Sequence, residues 1–165
     1  MNIVKLNTIL TKWDIRYFKE AISWREMSHD METQCGCALV KDKTLISTGY
    51  NGFIRDIDDD ILPRTRPKKY PFMIHAEANA IYNSARLGRQ TLDATAYITG
   101  PPCISCLQAL YQCGIKEIKF TDVSKVKMSI FSEEYNQILE LIKDKISISF
   151  TPNNLIYQEV LNVQD

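Results

Sequence analysis

Beyond residue 35 the chain alternates in a way that leaves few folds open to it. A short, mostly apolar run over 35–40 turns at Asp42-Lys43 into a second run over 44–50, the pattern of a two-strand hairpin. A helix over 75–87, a strand over 94–99, a helix over 103–113, a strand over 117–121, a helix over 131–144 and a strand over 145–150 then follow in turn. Gly88 is placed as the C-cap of the first of these helices and Gly114 stops the second, while Gly100-Pro101-Pro102 breaks the strand between them. A hairpin followed by alternating helix and strand predicts a layered α/β domain around a mixed five-stranded sheet. Trp13, Tyr17, Phe18, Ala21, Ile22 and Trp24 recur at helical spacing and place another helix over 12–28, ahead of the hairpin.

Residues 52–72 read as a long loop, with Asp56, Asp58, Asp59 and Asp60 followed by Arg64, Arg66, Lys68 and Lys69, and prolines at 63, 67 and 71. The last fifteen residues carry no clear pattern. At 165 residues, with no repeat or linker, the chain is expected to form one domain over 1–165. Twenty basic residues balance twenty acidic ones, which speaks against a dedicated nucleic-acid binder and for a small-molecule partner. No run reaches the roughly 20 apolar residues of a membrane span, and residues 1–13 do not read as a secretory signal. The five cysteines are odd in number and do not suggest a disulfide framework, so reduced thiols in a cytoplasm are expected.

Two helix starts carry the chemistry. His75-Ala76-Glu77 opens one predicted helix and Pro102-Cys103-Ile104-Ser105-Cys106 opens another. Cysteines at i and i+3 share a helix face, so both sulfurs can reach one ion, and the positive end of the helix lowers the cost of ionising them. His75 adds a third ligand. Three protein ligands leave one tetrahedral position free, as in a catalytic zinc, whereas a structural site is closed by four. Cys35, Cys37, Cys113 or His29 could supply that fourth ligand. His-x-Glu paired with Pro-Cys-x-x-Cys is the signature of zinc-dependent nucleobase deaminases. In that chemistry zinc brings the pKa of water towards about 7. Glu77, not needed as a ligand, takes its proton and passes it to the ring nitrogen and then to the leaving amine. Attack at C4 of cytosine would yield uracil and ammonia.

Several connecting features narrow the substrate. Ser28-His29-Asp30 with Thr33-Gln34-Cys35-Gly36, Gly49-Tyr50-Asn51-Gly52, Asp59-Asp60-Ile61-Leu62-Pro63, and Tyr70-Pro71 ahead of His75-Ala76-Glu77-Ala78-Asn79-Ala80-Ile81 together resemble the deoxycytidylate deaminase family, within the cytidine deaminase superfamily, over about 28–150. The resemblance implies the three-layer cytidine deaminase-like fold and hydrolysis of dCMP to dUMP and ammonia, feeding thymidylate synthesis. It implies one zinc per chain on His75, Cys103 and Cys106, with Glu77 as the acid–base residue, Asn51 on the deoxyribose and the backbone of Ala76 on the pyrimidine. It further implies a homohexamer, activated by dCTP and inhibited by dTTP at a site that includes Gly49, Tyr50, Asn51 and Gly52, with Mg2+ accompanying the triphosphate. Some viral members carry a second, structural zinc built with an extra histidine; His29 is the one spare histidine here, and no such site is expected.

Other residues admit two readings. Arg55, Arg64, Arg66, Lys68 and Lys69 suit a 5′-phosphate, which arginine binds through two parallel hydrogen bonds; a solvated loop offset by its own aspartates fits equally. Asn79, four residues past His75 and on the same helix face, is a candidate substrate contact or a helix-packing residue. Arg86 is a surface arginine or reaches a neighbouring subunit. Cys35, Cys37 and Cys113 read as core thiols and His29 as a surface histidine. Three rival functions share the zinc motifs. A tRNA or single-strand deaminase should show a basic surface and stacking aromatics. A deaminase of dCTP, a nucleoside, cytosine or guanine would differ in substrate; for the nucleoside and free bases the long charged loop is not expected. A non-catalytic zinc-binding regulator would have no need of Glu77.

Overall fold

The computed structural model describes residues 3–124 and 132–161. The hairpin forms as β2 (Gly36–Lys41) and β3 (Thr44–Tyr50), and β4 (Thr95–Ile98), β5 (Glu117–Phe120) and β6 (Ser147–Phe150) fall within the expected strands. β2 pairs antiparallel with both β3 and β4, while β4, β5 and β6 run parallel, so the sheet is mixed as expected. It has six strands, not five: β1 (Lys5–Leu6) adds to the far edge in the order β1-β6-β5-β4-β2-β3. Two exposed residues leave no period to read, and only their parallel pairing with β6 makes them a strand.

Helices cover both faces, giving three layers. α2 (Ala76–Arg86), α3 (Ile104–Gln112) and α4 (Glu133–Ile142) bury Ala76, Ala80, Leu107, Leu110, Tyr135 and Leu139 against Cys37, Leu39, Ile98, Ile118 and Phe120. α1 (Lys12–Arg25) and α5 (Asn153–Leu161) pack Tyr17, Phe18, Ala21 and Ile156 against Ala38, Val40 and Tyr97 on the other face. The alternation of side chains along each strand divides the two cores. α1 starts on a capping box: the Thr11 hydroxyl accepts from the Asp14 N–H at 3.1 Å, and the Asp14 carboxylate accepts the Thr11 N–H at 3.0 Å. It ends at Arg25, short of the expected residue 28, because the Ser28 hydroxyl is drawn away to the Asn51 carbonyl at 2.7 Å. α5 went unread because Ile156 is its one fully buried apolar anchor among the described side chains.

Two packing features fix the helix that starts at His75. α2 lies so close to β3 that a Cβ on Gly49 would stand 2.3 Å from the Ala76 carbonyl oxygen and 2.4 Å from the Ala80 nitrogen. Glycine is therefore required there by close backbone approach. Along the outer edge of β3, the side chains of Asn79, Asn83 and Arg89 donate to the carbonyls of Tyr50, Thr48 and Ile46 at 2.7–2.8 Å. These bonds satisfy an otherwise open sheet edge and lock α2 in register. Gly88, at φ +63°, lies one residue beyond the C-cap Leu87, in the left-handed position that ends a helix.

Candidate metal centre

The register brings the two helix starts together. Gly36 faces Tyr50 and Cys37 faces Ile98, so the ends of β3 and β4 share one rim of the sheet. From that rim the chain enters α2 and α3. His75 and Cys103 are the N-caps of these helices, each extended in backbone and neither using its side chain to cap its own helix. Cys106 lies one turn into α3.

His75 Nδ1 stands 3.4 Å from Cys103 Sγ and 3.5 Å from Cys106 Sγ, and the three atoms lie within 4.8 Å of one another. A tetrahedral zinc, with bonds of about 2.3 Å to sulfur and about 2.0–2.1 Å to nitrogen, requires about 3.5 Å between a sulfur and a nitrogen ligand. Both sulfur–nitrogen separations match that ion. A hydrogen bond from Cys106 pulls the Cys103 thiol well below its ordinary range, with His75 adding to the effect. The same bond, together with burial, pushes Cys106 up. The pair behaves as one anionic unit at a helix start, which suits a cationic metal. The bond to Cys103 raises His75 against the opposing effect of burial.

Glu77 is 5% exposed on the first turn of α2, and burial raises its carboxyl above the usual range. Its side chain bonds Cys106, so it lies against the triangle without belonging to it. Cys35 and Cys37 border Glu77, and burial followed by the charge of Glu77 pushes Cys35 up to about 12 and Cys37 upward too. Cys37 is fully buried, whereas Cys35 and Cys113 are half-buried. Tyr135, which sequence reasoning missed, is buried in α4, and Glu77, Cys103 and Cys106 add to the burial that raises its hydroxyl. No spacing could have flagged it, since it comes from a helix near the other end of the chain.

The remaining candidates divide between protein scaffold and a groove beside α2. Asn51 is 6% exposed; its Oδ1 accepts the Cys35 N–H at 2.7 Å, and its Nδ2 donates to Asp30 at 3.2 Å and the Thr33 carbonyl at 2.8 Å. Of the loop cations Lys69 alone is buried, while Arg55, Arg66 and Lys68 stay exposed. Lys69 is 3% exposed with its ammonium 2.7 Å from both Asp30 oxygens, Arg66 bonds Glu32 and Thr33, Arg64 pairs with Asp60, and Arg55 bonds Asn83. His29 is not a plain surface residue: its Nε2 lies 2.7 Å from Asp59 Oδ2. It lines a groove of about 850 Å³ between β3, α2 and the loop after β3, whose wall includes Ile74, the neighbour of His75. Asn79, Arg55, Arg86 and Arg89 line this groove as well, together with Trp24 and Tyr50, whose rings stack at 6.4 Å and 8°. Arg86 therefore faces a cavity. Ala76 and Gly49 are packed between β3 and α2, and Gly52 bridges to Ile74 just before His75.

Residues 11–122 match the cytidine and deoxycytidylate deaminase zinc-binding region. The chain is 39% identical over 100 residues to a Caenorhabditis elegans protein named "Probable deoxycytidylate deaminase", covering 58% of this chain and 50% of that protein. It is 31% identical over 116 residues to the deoxycytidylate deaminase of Homo sapiens, covering 66% and 64% respectively. The chain thus spans less than two-thirds of the length of either relative. Its fold is that of the dCMP deaminase of cyanophage S-TIM5, crystallised with dCMP and dUMP, with a TM-score of 0.69 at 19% identity over 87% of this chain and 98% of that one. No helix among the described residues is long and apolar enough to cross a membrane.

Proposed function

The chain belongs to the cytidine and deoxycytidylate deaminase family, and from that premise we propose that it is a zinc-dependent hydrolase converting dCMP and water to dUMP and ammonia in the cytoplasm, upstream of thymidylate synthesis. The observation that carries this reading is the His75–Cys103–Cys106 triangle with Glu77 buried against it. His75 Nδ1 and the two sulfurs would hold one zinc per chain. The bound ion supplies the Lewis acidity that makes water nucleophilic near neutral pH. Glu77 takes the proton from that water on a carboxylate oxygen, and its burial raises its affinity for the proton it must hold. It then delivers the proton to the ring nitrogen and the departing amine. The backbone of Ala76 borders the pyrimidine, and Asn51 and Asn79 border the sugar, both already fixed by protein hydrogen bonds.

Ammonia release measured side by side with dCMP, dCTP, deoxycytidine and cytosine tests the substrate. The expected result is the highest kcat/KM for dCMP and far less efficient turnover of deoxycytidine. Equal efficiency for dCMP and deoxycytidine would remove the nucleotide assignment. Ligand identity is tested separately: Cys106→Ala should lose metal and activity together, whereas Cys35→Ala should keep close to one zinc per chain, because its thiol stays neutral beside Glu77. Loss of zinc from Cys35→Ala would make the site a closed, structural one.

The groove extends the reading to regulation. Three arginines and a stacked Trp24–Tyr50 pair, beside Gly49, Tyr50 and Gly52, suit a triphosphate with its base, accompanied by Mg2+. We place dCTP activation and dTTP inhibition there, in a homohexamer. Light scattering should give a mass near six times 19.0 kDa, and rates should rise with dCTP and fall with dTTP. A monomer, or rates indifferent to both triphosphates, would remove this part and leave the chemistry untouched.

A further inference from the structure

The face of the sheet under α1 and α5 holds a row of buried hydroxyls that the metal centre does not use. Thr99, Thr121 and Thr151 each follow the last residue of β4, β5 and β6, and each has 0% exposure. The Thr121 N–H donates to the Ile98 carbonyl at 3.0 Å and the Thr151 N–H to the Phe120 carbonyl at 2.8 Å, so the three stand side by side across the strand ends. Ile98, Phe120 and Phe150 point towards α2–α4, so by alternation the threonines that follow them point towards α1 and α5.

Thr99 is satisfied: its hydroxyl accepts the Gly36 N–H at 2.9 Å and pairs with Ser124 at 2.6 Å. Its neighbours are not. Thr121 Oγ1 and Thr151 Oγ1 are buried without a hydrogen-bond partner among the described residues. So are Ser149 Oγ, two residues before Thr151 on the same face, and Asn153 Oδ1, two residues after it. The fifth such atom is Arg25 Nε, whose guanidinium donates through Nη1 to the Val123 carbonyl at 2.8 Å, two residues past Thr121. The Asn153 N–H, in turn, donates to Asp122 Oδ1 at 2.9 Å, which draws the start of α5 to the same strand end.

Native interiors rarely leave polar atoms unpaired, and these five lie along the ends of β5 and β6 and the helix ends packed beside them. The chemistry of a partner common to them is limited by two of the five. Arg25 Nε can only donate and Asn153 Oδ1 can only accept. A metal cation cannot accept from Arg25, and a simple anion cannot donate to Asn153. Water does both, and a buried water typically makes about three hydrogen bonds. We propose that Thr121 and Thr151, with Arg25, Ser149 and Asn153, hold one or two ordered internal waters that join α1, β5, β6 and α5. At about one buried water per 27 residues, a chain of this length holds about six, so the site lies within the usual complement.

High-resolution diffraction from crystals of the full chain, with Thr121→Val and Thr151→Val melted in parallel, tests this. The expected density is a water within about 3.2 Å of Thr121 or Thr151 Oγ1 and of at least one more of the five atoms. Each valine should then lower Tm by about 2–4 °C, the shift a lost hydrogen bond produces in a chain of this size. Valine is isosteric with threonine, so both variants fold. Absence of that density, or valine variants melting at or above the parent temperature, overturns the proposal. Thr99→Val, whose hydroxyl is bonded by protein, melts lower in either case and calibrates the measurement.

Discussion

Glu77→Gln is expected to keep its zinc and lose turnover by roughly 10²–10⁴-fold, the range for a missing general acid–base residue. Glutamine preserves the size of the side chain and its reach towards Cys106 but cannot take a proton from water. The position is 5% exposed and outside the metal triangle, so neither folding nor metal content should depend on the charge. Removing a buried carboxyl whose proton affinity is raised by burial relieves a desolvation cost, so stability should hold or rise slightly. KM should move far less than kcat, because the missing interaction matters mainly in the transition state. Metal analysis and steady-state kinetics on one preparation decide the matter. Release of zinc would make Glu77 a ligand, and near-parental turnover would assign the base elsewhere.

Lys69→Met is expected to destabilise the fold by about 3–5 kcal/mol, the cost of breaking a buried ion pair by removing one partner. Lys69 and Asp30 are each 3% exposed in their side chains, with both carboxylate oxygens 2.7 Å from the ammonium. Asp30 also accepts the N–H groups of Glu32 and Thr33 and the amide of Asn51. One buried cation thereby ties the turn after α1, the end of β3 and the loop ahead of His75 into one unit. Without it, Asp30 is a buried charge held by neutral donors alone. Lys68→Met, one residue away and exposed, should change stability by less than about 0.5 kcal/mol. Urea denaturation of the two variants measures the contrast, and equal stabilities would mean that Lys69 is not buried in solution.

The two lysines also mark where the sequence ceased to be legible. Composition placed five cations in one loop, but burial is a property of the fold, and nothing in Lys68-Lys69 says which of them turns inward. The family resemblance implies that Asn51 touches the sugar; its amide is bonded within the network around Asp30, so a contact with a sugar must be made from that fixed position. Local signals fared better. The cysteines at i and i+3 and the histidine two residues before Glu77 placed the triangle, because ligand spacing on a helix is set by local geometry. Strand and helix alternation likewise predicted the sheet, whereas β1 and the described side chains of α5 offer too few buried residues to leave a period. The groove was half visible: Asn79 and Arg86 lie on its wall with Asn83, and their helical spacing was readable, but Trp24 and Arg89 join it only through packing.

The measurement that bears most directly on the account is the rate of dUMP formation from dCMP as zinc is returned to chelated protein. A rate that rises linearly with bound zinc and levels off at one equivalent per chain is the predicted result, since His75, Cys103 and Cys106 form one site of the right size. Activity that persists without zinc, that requires a second equivalent, or that never appears with dCMP at full occupancy would contradict it.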